Sequence, residues 1–216
     1  MPQFDCSAVL FDLDGVLVDS TQSIVVIWSA WARKNGIDPG KVLKIVHGRR
    51  TMEVLQILTP HLDLDAEAQQ IEGGITHKKD GTVAIPGAAK LLQSLPEDQW
   101  CVVTSGIGEF ARARLKSANL PIPHVLVSAD QVTNGKPHPE PYLKGAGLLG
   151  IEPSKCVVVE DALNGIESGH AGGMKVIGVA TTFSQAELSA ADAVVKTLEG
   201  ISVSKNGSQL RLDVVW

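Results

Sequence analysis

The sequence predicts a doubly wound α/β fold, in which a mainly parallel, Rossmann-like sheet carries an inserted helical domain. Short apolar runs rich in β-branched residues alternate with helical segments, as in parallel sheets covered by helices. Residues 157–159 are apolar at every position, which is typical of a strand buried on both faces. Residues 21–84 lack a strand pattern, so we expect residues 1–20 and 85–216 to form the sheet domain and residues 21–84 the helical domain.

Strands and helices of the predicted sheet domain follow each other in alternation. The strands are expected at residues 8–12, 101–104, 124–128, 156–160, 175–179 and 193–195. The helices are expected at residues 88–95, 109–118, 141–149 and 163–171. Residues 210–216 begin with alternating apolar and polar positions, which predicts a short edge strand. Such sheets bind ligands at the carboxyl ends of their strands, so functional residues are expected there.

The predicted helical domain shows a different periodicity. Its first helix is expected to place four apolar residues on one face: Ile24, Ile27, Trp28 and Trp31. A second helix is expected to begin at Thr51, with Met52, Leu55 and Leu58 on one face. Two shorter helices are expected at residues 65–71 and 75–79. The tryptophans are interpreted as packing residues between these helices.

Composition and charge exclude several classes of partner. Nineteen Lys and Arg residues stand against 24 Asp and Glu residues, and this acidic balance argues against nucleic acid, which basic patches bind. The longest mostly apolar stretch, residues 24–32, is too short to span a bilayer. The three cysteines form no C-x-x-C pair and are interpreted as buried thiols of a cytoplasmic protein.

Two carboxylates follow the first long predicted strand. Asp12 and Asp14 lie two residues apart, so an extended backbone points both to the same side. Gly15 follows them and allows a sharp turn and the close approach of a ligand. Clustered acids of this kind indicate a metal or catalytic site, whereas the alternative is a pair of solvated acids in a turn.

The next predicted strand ends in hydroxyl side chains, and two readings of this segment compete. Thr104 and Ser105, with exposed amides ahead of a helix, can bind an anion. Residues 106–111 also match the pattern G-x-G-x-x-A, and Asp130 follows at the distance expected of a ribose-binding acid. The second reading predicts a dinucleotide site, but it leaves the other strand ends unexplained.

Two further strand ends add charge to the same edge of the sheet. Lys136 precedes Pro137 in a proline-stiffened loop, and Glu160 and Asp161 close another apolar strand. Four acids with one lysine are unfavourable unless a cation binds among them. Ligation by oxygen atoms alone favours Mg²⁺, which keeps water ligands and binds phosphate substrates.

These segments together resemble the four ordered motifs of the haloacid dehalogenase (HAD) superfamily. They are residues 12–17, the strand end at 104–105, residues 136–137 and residues 160–161. The resemblance covers the whole chain, including an inserted helical cap between the first two motifs. Within the superfamily, the segment at residues 47–51 resembles that of glycerol-phosphate and 2-deoxyglucose-phosphate phosphatases.

The resemblance implies a Mg²⁺-dependent phosphatase for small phosphorylated sugars or polyols. Asp12 would form an aspartyl-phosphate, and Asp14 would act as the general acid and base. Thr104, the Ser105 amide and Lys136 would hold the phosphoryl oxygens. Mg²⁺ would be held by Asp12, the main-chain carbonyl of Asp14, Asp161 and Glu160, the last directly or through water.

The cap is expected to select the substrate, with His47 and Arg50 contacting its leaving group. The alternatives are a phosphohexomutase of the β-phosphoglucomutase type and a non-catalytic binding protein on the same scaffold. Mutase sequences of that type use a Thr and a His in the cap hinge, where this chain has Ser20 and Ile24. Ile24 cannot hydrogen-bond or titrate, which favours hydrolysis. A monomer is expected from the size of the chain.

Overall fold

The computed structural model describes residues 2–77, 82–207 and 209–216. Its strands are β1 (Gln3–Cys6), β2 (Ala8–Phe11), β3 (Val18–Asp19), β4 (Val83–Ala84), β5 (Trp100–Val103), β6 (Leu126–Val127), β7 (Cys156–Glu160), β8 (Lys175–Val179), β9 (Ala193–Val195), β10 (Ile201–Asn206) and β11 (Gln209–Val214). Its α-helices are α1 (Thr21–Lys34), α2 (Pro39–Val46), α3 (Thr51–Leu58), α4 (Leu64–His77), α5 (Ala88–Ser94), α6 (Gly108–Ser117), α7 (Glu140–Leu149) and α8 (Leu163–Ala171).

The central sheet has six parallel strands in the order β6-β5-β2-β7-β8-β9. This confirms the predicted doubly wound α/β fold. The strand β2 lies in the middle and buries its residues alternately against two apolar clusters. Val9 and Phe11 face one cluster, while Ala8 and Leu10 face the other. Because both faces are covered, apolar residues occupy every position of the strand.

A second sheet is antiparallel and has the order β1-β11-β10. The strand predicted in residues 210–216 is therefore found, but it is the middle strand of this sheet and not an edge strand. The strands β1 and β10, which flank β11, were not predicted from the sequence. Both are mostly exposed on one face, so they lack the long apolar runs that identify buried strands.

Four helices, α1 to α4, form the insert between β3 and β4, and we call them the helical insert. They share an apolar cluster of their own, in which the indole rings of Trp28 and Trp31 meet edge to face with centroids 5.4 Å apart. The Trp31 indole nitrogen donates a hydrogen bond to Glu67 of α4 at 2.7 Å. These contacts support the interpretation of the tryptophans as packing residues.

Two helices of the insert differ from the prediction. The helix α2 was not predicted, although Asp38 accepts a hydrogen bond from the Gly40 amide and Pro39 is the first residue of the helix. Residues 65–71 and 75–79 were expected to form two helices, but α4 is continuous from Leu64 to His77, through Gly73 and Gly74. Residues 78 and 79 lie outside the described residues. The predicted domain limits stay a prediction.

The insert joins the sheet domain at a short antiparallel ladder. Val18 pairs with Ala84, and Asp19 pairs with Val83. Both passages of the chain between the sheet and the insert therefore lie side by side. None of the helices in the described part of the chain is long and apolar enough to cross a membrane. All three cysteines are buried free thiols, as expected.

Candidate active site

The carboxyl ends of β2, β5 and β7 bring the predicted site residues to one edge of the parallel sheet. Asp12 follows β2, and its amide donates to the Val159 carbonyl of β7 at 3.0 Å. Thr104 follows β5, and its hydroxyl oxygen accepts a hydrogen bond from the Gly106 amide at 3.0 Å. Asp161 follows Glu160, the last residue of β7. Parallel strands thus place residues from distant parts of the sequence next to each other.

Lys136 is the buried cation at the centre of this group. It lies in the loop between β6 and α7, and the peptide bond that joins it to Pro137 is cis. Its ammonium donates to Asp12 Oδ1 at 2.6 Å, to Glu160 Oε1 at 2.7 Å and to the Val103 carbonyl at 3.0 Å. The residue is 2% exposed, so these three acceptors replace the hydration of its ammonium.

Glu160 is fully buried, and both of its oxygens are engaged inside the protein. Oε1 accepts hydrogen bonds from Lys136 and, at 3.0 Å, from the Tyr142 hydroxyl. Oε2 accepts from the amides of Asp161 and Ala162, each at 2.9 Å. A Cβ atom at position 165 would lie 1.7 Å from Oε1, so Gly165 leaves room for this carboxylate. Sequence reasoning did not identify Tyr142, because its role depends on how α7 packs under the sheet.

The charges of this cluster shift one another. Burial raises the pKa of Asp12 to about 7; Lys136 opposes the rise, and Glu160 adds to it. Burial and the charges of Glu160 and Asp12 raise the pKa of Asp161 well above its ordinary value. Burial alone would lower the pKa of Lys136, but the two carboxylates beside it raise that pKa. Three buried acids therefore share one lysine, and their ionised forms are poorly compensated.

The absence of a side chain at Gly15 allows the Asp161 carboxylate to lie against the turn that follows Asp14. A Cβ atom at position 15 would lie 2.0 Å from Asp161 Oδ2, and the backbone has a φ of +84° that favours glycine. Asp161 thus reaches the strand end that carries Asp12. Within residues 2–77, 82–207 and 209–216, no group of three or more His, Cys, Asp or Glu side chains is arranged to hold a metal ion. A site for Mg²⁺ does not require one, because Mg²⁺ commonly takes one or two carboxylates, waters and substrate phosphate oxygens.

Asp14 lies apart from Lys136 and has partners of its own. Its Oδ1 accepts a hydrogen bond from the Ser20 hydroxyl at 2.5 Å, and its Oδ2 accepts from the Arg114 guanidinium at 2.7 Å. Arg114 also donates to Glu72 Oε2 of the helical insert at 2.8 Å. Sequence reasoning missed Arg114 and Glu72. They are only 3% and 4% exposed, and buried charges of this kind indicate a functional or structural role. The sequence does not show that they are buried, so it gave no such signal.

A cavity of about 70 Å³ opens between this edge of the sheet and the helical insert. It is lined on the sheet side by Asp12, Asp14, Thr104, Ser105, Arg114 and Asp161, and on the insert side by Ile24, Trp28, His47, Arg49, Thr51 and Glu72. His47 packs edge to face against Phe183, with ring centroids 6.3 Å apart. Burial lowers the pKa of His47, and Asp14 opposes that shift.

The structure does not bring Arg50 to this cavity. Its guanidinium donates to Glu53 at 2.6 Å and to the Val132 carbonyl at 3.3 Å, outside the cavity. Arg49, the preceding residue, lines the cavity instead. Arg50 has an extended backbone just before α3, so Arg49 and Arg50 point in different directions. The sequence alone did not show which arginine faces the cavity.

The dinucleotide reading of residues 106–111 also finds another explanation. Asp130 Oδ1 accepts a hydrogen bond from the Gly108 amide at 3.1 Å, so this acid satisfies the beginning of α6. Gly108 approaches Ser128 closely, since a Cβ atom there would lie 2.8 Å from the Ser128 hydroxyl oxygen. The glycines and Asp130 therefore shape the start of α6.

A family model described as haloacid dehalogenase-like hydrolase matches residues 9–179. The matched segment contains the four motifs and the helical insert. The match accounts for all of the strand ends together, which the dinucleotide alternative does not.

Three curated relatives are phosphatases by name. Hexitol phosphatase A of Escherichia coli is 43% identical, with 93% of this chain and 95% of the relative covered. Two proteins of Saccharomyces cerevisiae are 36% identical: glycerol-1-phosphate phosphohydrolase 1 and 2-deoxyglucose-6-phosphate phosphatase 1. The first covers 94% of this chain and 87% of its own length, and the second covers 95% and 94%.

Solved structures share the architecture. A hydrolase from Pseudomonas syringae superposes with a TM-score of 0.79 at 25% identity, covering 88% of this chain and 94% of its own. A β-phosphoglucomutase from Clostridium difficile superposes with a TM-score of 0.78 at 24% identity, covering 89% and 92%. At that identity the second likeness shows the fold alone.

Proposed function

The chain belongs to the haloacid dehalogenase-like hydrolases and is a phosphoric monoester hydrolase of the sugar phosphatase type, and from this premise we propose a mechanism and a substrate class. The enzyme hydrolyses small phosphorylated sugars or polyols through an aspartyl-phosphate, with Mg²⁺ as its cofactor. The observation that carries this proposal is the hydrogen bond from Lys136 to Asp12, together with the presence of both Asp12 and Asp14 in the wall of the cavity.

In the first half-reaction, an Asp12 carboxylate oxygen attacks phosphorus and the bond from phosphorus to the leaving oxygen breaks. Asp14 gives its proton to that oxygen, so the leaving group departs as an alcohol. In the second half-reaction, Asp14 takes a proton from water, which attacks phosphorus. The bond between phosphorus and Asp12 then breaks, and inorganic phosphate leaves.

Lys136, Thr104 and the Ser105 amide are assigned to the phosphoryl oxygens. Lys136 is held by Glu160 and Val103, so its charge stays fixed while Asp12 becomes esterified. Thr104 and Ser105 line the cavity at the end of β5, ahead of α6. Donors that are fixed before the reaction need no reorganisation as charge develops on the phosphoryl group.

Mg²⁺ would be held by Asp12, Asp161 and the main-chain carbonyl of Asp14. When bound, it would neutralise negative charge between the nucleophile and the phosphate. The donor set supports this assignment, since Asp12 and Asp161 are buried carboxylates with raised pKa values, and Gly15 leaves room for the Asp161 carboxylate. We assign Glu160 to Lys136 in place of the metal, because a direct bond would cost it hydrogen bonds that it already makes.

The cavity supports a small polar leaving group. Its wall combines the aromatic and apolar side chains of Trp28 and Ile24 with the polar groups of Thr51, His47 and Arg49. Such a wall suits a hydroxylated carbon chain, which offers both kinds of surface. The printed names of the relatives, which include hexitol and glycerol-1-phosphate phosphatases, support the same class. We also propose, from the sequence, that the enzyme works as a cytoplasmic monomer.

Hydrolysis is proposed in preference to phosphoryl return to a sugar. Ser20 retains a hydroxyl that donates to Asp14, but Ile24 offers no polar atom at the cavity wall. Incubation with a hexose 1-phosphate should therefore release inorganic phosphate without forming the 6-phosphate isomer. Isomer formation with almost no free phosphate would establish the mutase reading.

The decisive experiment is a phosphate-release screen with Mg²⁺ over phosphorylated sugars, polyols, nucleotides and amino acids. Asp12→Asn serves as the control, since it preserves shape and should lower turnover by at least ~10³-fold. Release from sugar or polyol phosphates that Asp12→Asn abolishes supports the proposal. Equal turnover by wild type and Asp12→Asn would remove Asp12 from the nucleophile position, and no release from any sugar or polyol phosphate would reject the substrate class.

A further inference from the structure

Arg114 stands between the sheet domain and the helical insert, on a line of hydrogen bonds that ends at Asp14. We infer that Arg114 is a positioning residue: it fixes the Asp14 carboxylate and ties its orientation to the position of α4 in the helical insert. The inference rests on the proposed function, in which Asp14 moves the protons.

The guanidinium of Arg114 bridges two carboxylates that belong to different parts of the fold. It rises from α6 of the sheet domain, is 3% exposed, and bonds Asp14 at 2.7 Å and Glu72 at 2.8 Å through two different nitrogens. A planar guanidinium holds two acceptors in fixed directions, which a lysine ammonium cannot do. The relative placement of Asp14 and Glu72 is thereby set by one rigid group.

The same line continues into the insert. The hydroxyl of Thr51, the first residue of α3, donates to Glu72 Oε1 at 2.5 Å. Glu72 lies on α4, so its carboxylate receives hydrogen bonds from a neighbouring insert helix and from the sheet domain. A displacement of α3 and α4 relative to the sheet would move Glu72 and would pull on the guanidinium that holds Asp14.

Asp14 itself has little freedom in this arrangement. One oxygen is held by Ser20 and the other by Arg114, so rotation of the carboxylate would break a short hydrogen bond on either side. Arg114 also lines the cavity together with Asp14 and Glu72, which places the whole line beside the substrate position. The line therefore connects the group that is proposed to transfer protons with the helices of the insert that line the cavity.

A purely structural role for the same ion pairs would give different results. Buried ion pairs are often replaceable by apolar residues without loss of stability, so their burial alone does not explain them. If Arg114 positions Asp14, loss of Arg114 should slow the step that depends on the orientation of the Asp14 carboxylate more than it slows other steps. Protonation of a poor alkoxide leaving group is such a step, whereas p-nitrophenolate leaves with little assistance.

The test compares kcat/KM, which reports the first half-reaction, for glycerol 3-phosphate and p-nitrophenyl phosphate. The variants are Arg114→Met, Glu72→Gln and both together, and Arg112→Met provides the matched control because Arg112 is exposed on the same helix. The double variant removes both buried charges of this ion pair, so it guards against a failure to fold that the loss of the Arg114 charge beside Glu72 could cause. Thermal unfolding checks that each variant is folded.

We expect Arg114→Met to lower kcat/KM for glycerol 3-phosphate ~10-fold more than for the aryl phosphate, the size of one charge-assisted hydrogen bond. Glu72→Gln should change the two substrates in the same sense, and the double variant should equal Arg114→Met alone, because Glu72 acts through Arg114. Equal losses for the two substrates, or losses that multiply in the double variant, would overturn the inference.

Hydrogen exchange separates this inference from the proposed function. Amides of α4 should exchange faster in Arg114→Met than in wild type or Arg112→Met, since the insert loses its link to the sheet domain. If wild type releases phosphate from none of the sugar and polyol phosphates, the proposed function fails, while exchange still reports on the link. Unchanged exchange in α4 would overturn the link between Asp14 and the insert, whatever the activity.

Discussion

Replacement of the proposed nucleophile should make the metal-free protein more stable at neutral and alkaline pH. In the folded protein, burial raises the pKa of Asp12 from an ordinary value of 3.8 to about 7. The folded state therefore binds a proton more tightly than the unfolded state. The stability linked to that proton is fully present below pH 3.8 and is lost as the pH rises through 7. Asp12→Asn keeps the neutral shape at every pH and should escape this loss.

The size of the effect follows from the shift of the pKa. Raising it from 3.8 to about 7 corresponds to about 4 kcal/mol between the two protonation states, at 1.36 kcal/mol for each unit. More than half of this falls between pH 5 and pH 8, because most of the proton is released there. The advantage of Asp12→Asn over wild type should grow by that amount across this interval.

Urea unfolding in EDTA measures the difference. Three tryptophans, Trp28, Trp31 and Trp100, are at most 4% exposed, so their fluorescence should report unfolding. EDTA is needed because a bound cation would favour ionised Asp12 and hide the effect. The exposed Asp65→Asn provides a control that removes a carboxylate from the surface of α4.

A common pH slope for wild type and Asp12→Asn would refute the reasoning. It would mean that Lys136 compensates the buried charge of Asp12 fully, despite the competing demand of Glu160 on the same ammonium. A wild-type protein that gains stability relative to Asp12→Asn from pH 5 to pH 8 would refute it more strongly. In that case, the pair of Asp12 and Lys136 would outweigh desolvation.

Three further predictions concern the acid, the cation and the support of Lys136. Asp14→Ala should slow single-turnover phosphorylation by alkyl phosphates more than by p-nitrophenyl phosphate; equal slowing in rapid quench would contradict the general-acid role. EDTA should abolish phosphate release and Mg²⁺ should restore it, with Ca²⁺ a poor substitute because it accepts more ligands; full activity without metal would contradict the cofactor assignment. Glu160→Gln should cost about 1.5–3 kcal/mol in urea unfolding, since the negative charge beside Lys136 is lost and the amide nitrogen cannot accept the hydrogen bonds that one carboxylate oxygen receives; an unchanged midpoint would show that Glu160 does not hold Lys136.

The parallel sheet could be predicted because its strands are buried on both faces. The strands β2, β5, β7 and β8 lie in continuous apolar runs that end in polar residues, and both features are visible in the sequence. The strands β1 and β10 were not predicted, because only one of their faces packs against the protein. The helix α2 begins with Pro39 and Gly40, residues that are typical of turns and loops, so this segment did not indicate a helix.

The order of the strand ends was enough to place Asp12, Thr104, Lys136 and Asp161 at one edge of the sheet. The partners of these residues could not be predicted in the same way. Tyr142, Arg114 and Glu72 lie inside helices, where a single polar residue has no distinctive pattern. Their roles depend on how each helix is rotated about its axis when it packs, and that rotation is set by tertiary contacts.

The choice between Arg49 and Arg50 illustrates the same limit over one residue. Consecutive arginines before α3 carry the same charge, and a rotation of the backbone decides which one faces the cavity. Gly48, with a φ of +72°, directs the chain just before them. A sequence pattern identifies the segment, but the side that it presents follows from the turn.

The short ladder between β3 and β4 allows the helical insert to change in length independently of the sheet domain. Because Val18 pairs with Ala84, the segment between them leaves the sheet and returns to it at the same point. A closed excursion of this kind can gain or lose residues without moving any strand of the parallel sheet, and each doubling of its length adds only about 0.6 kcal/mol of closure entropy. The strand ends that carry Asp12, Lys136 and Asp161 can thus stay fixed while the insert changes in length.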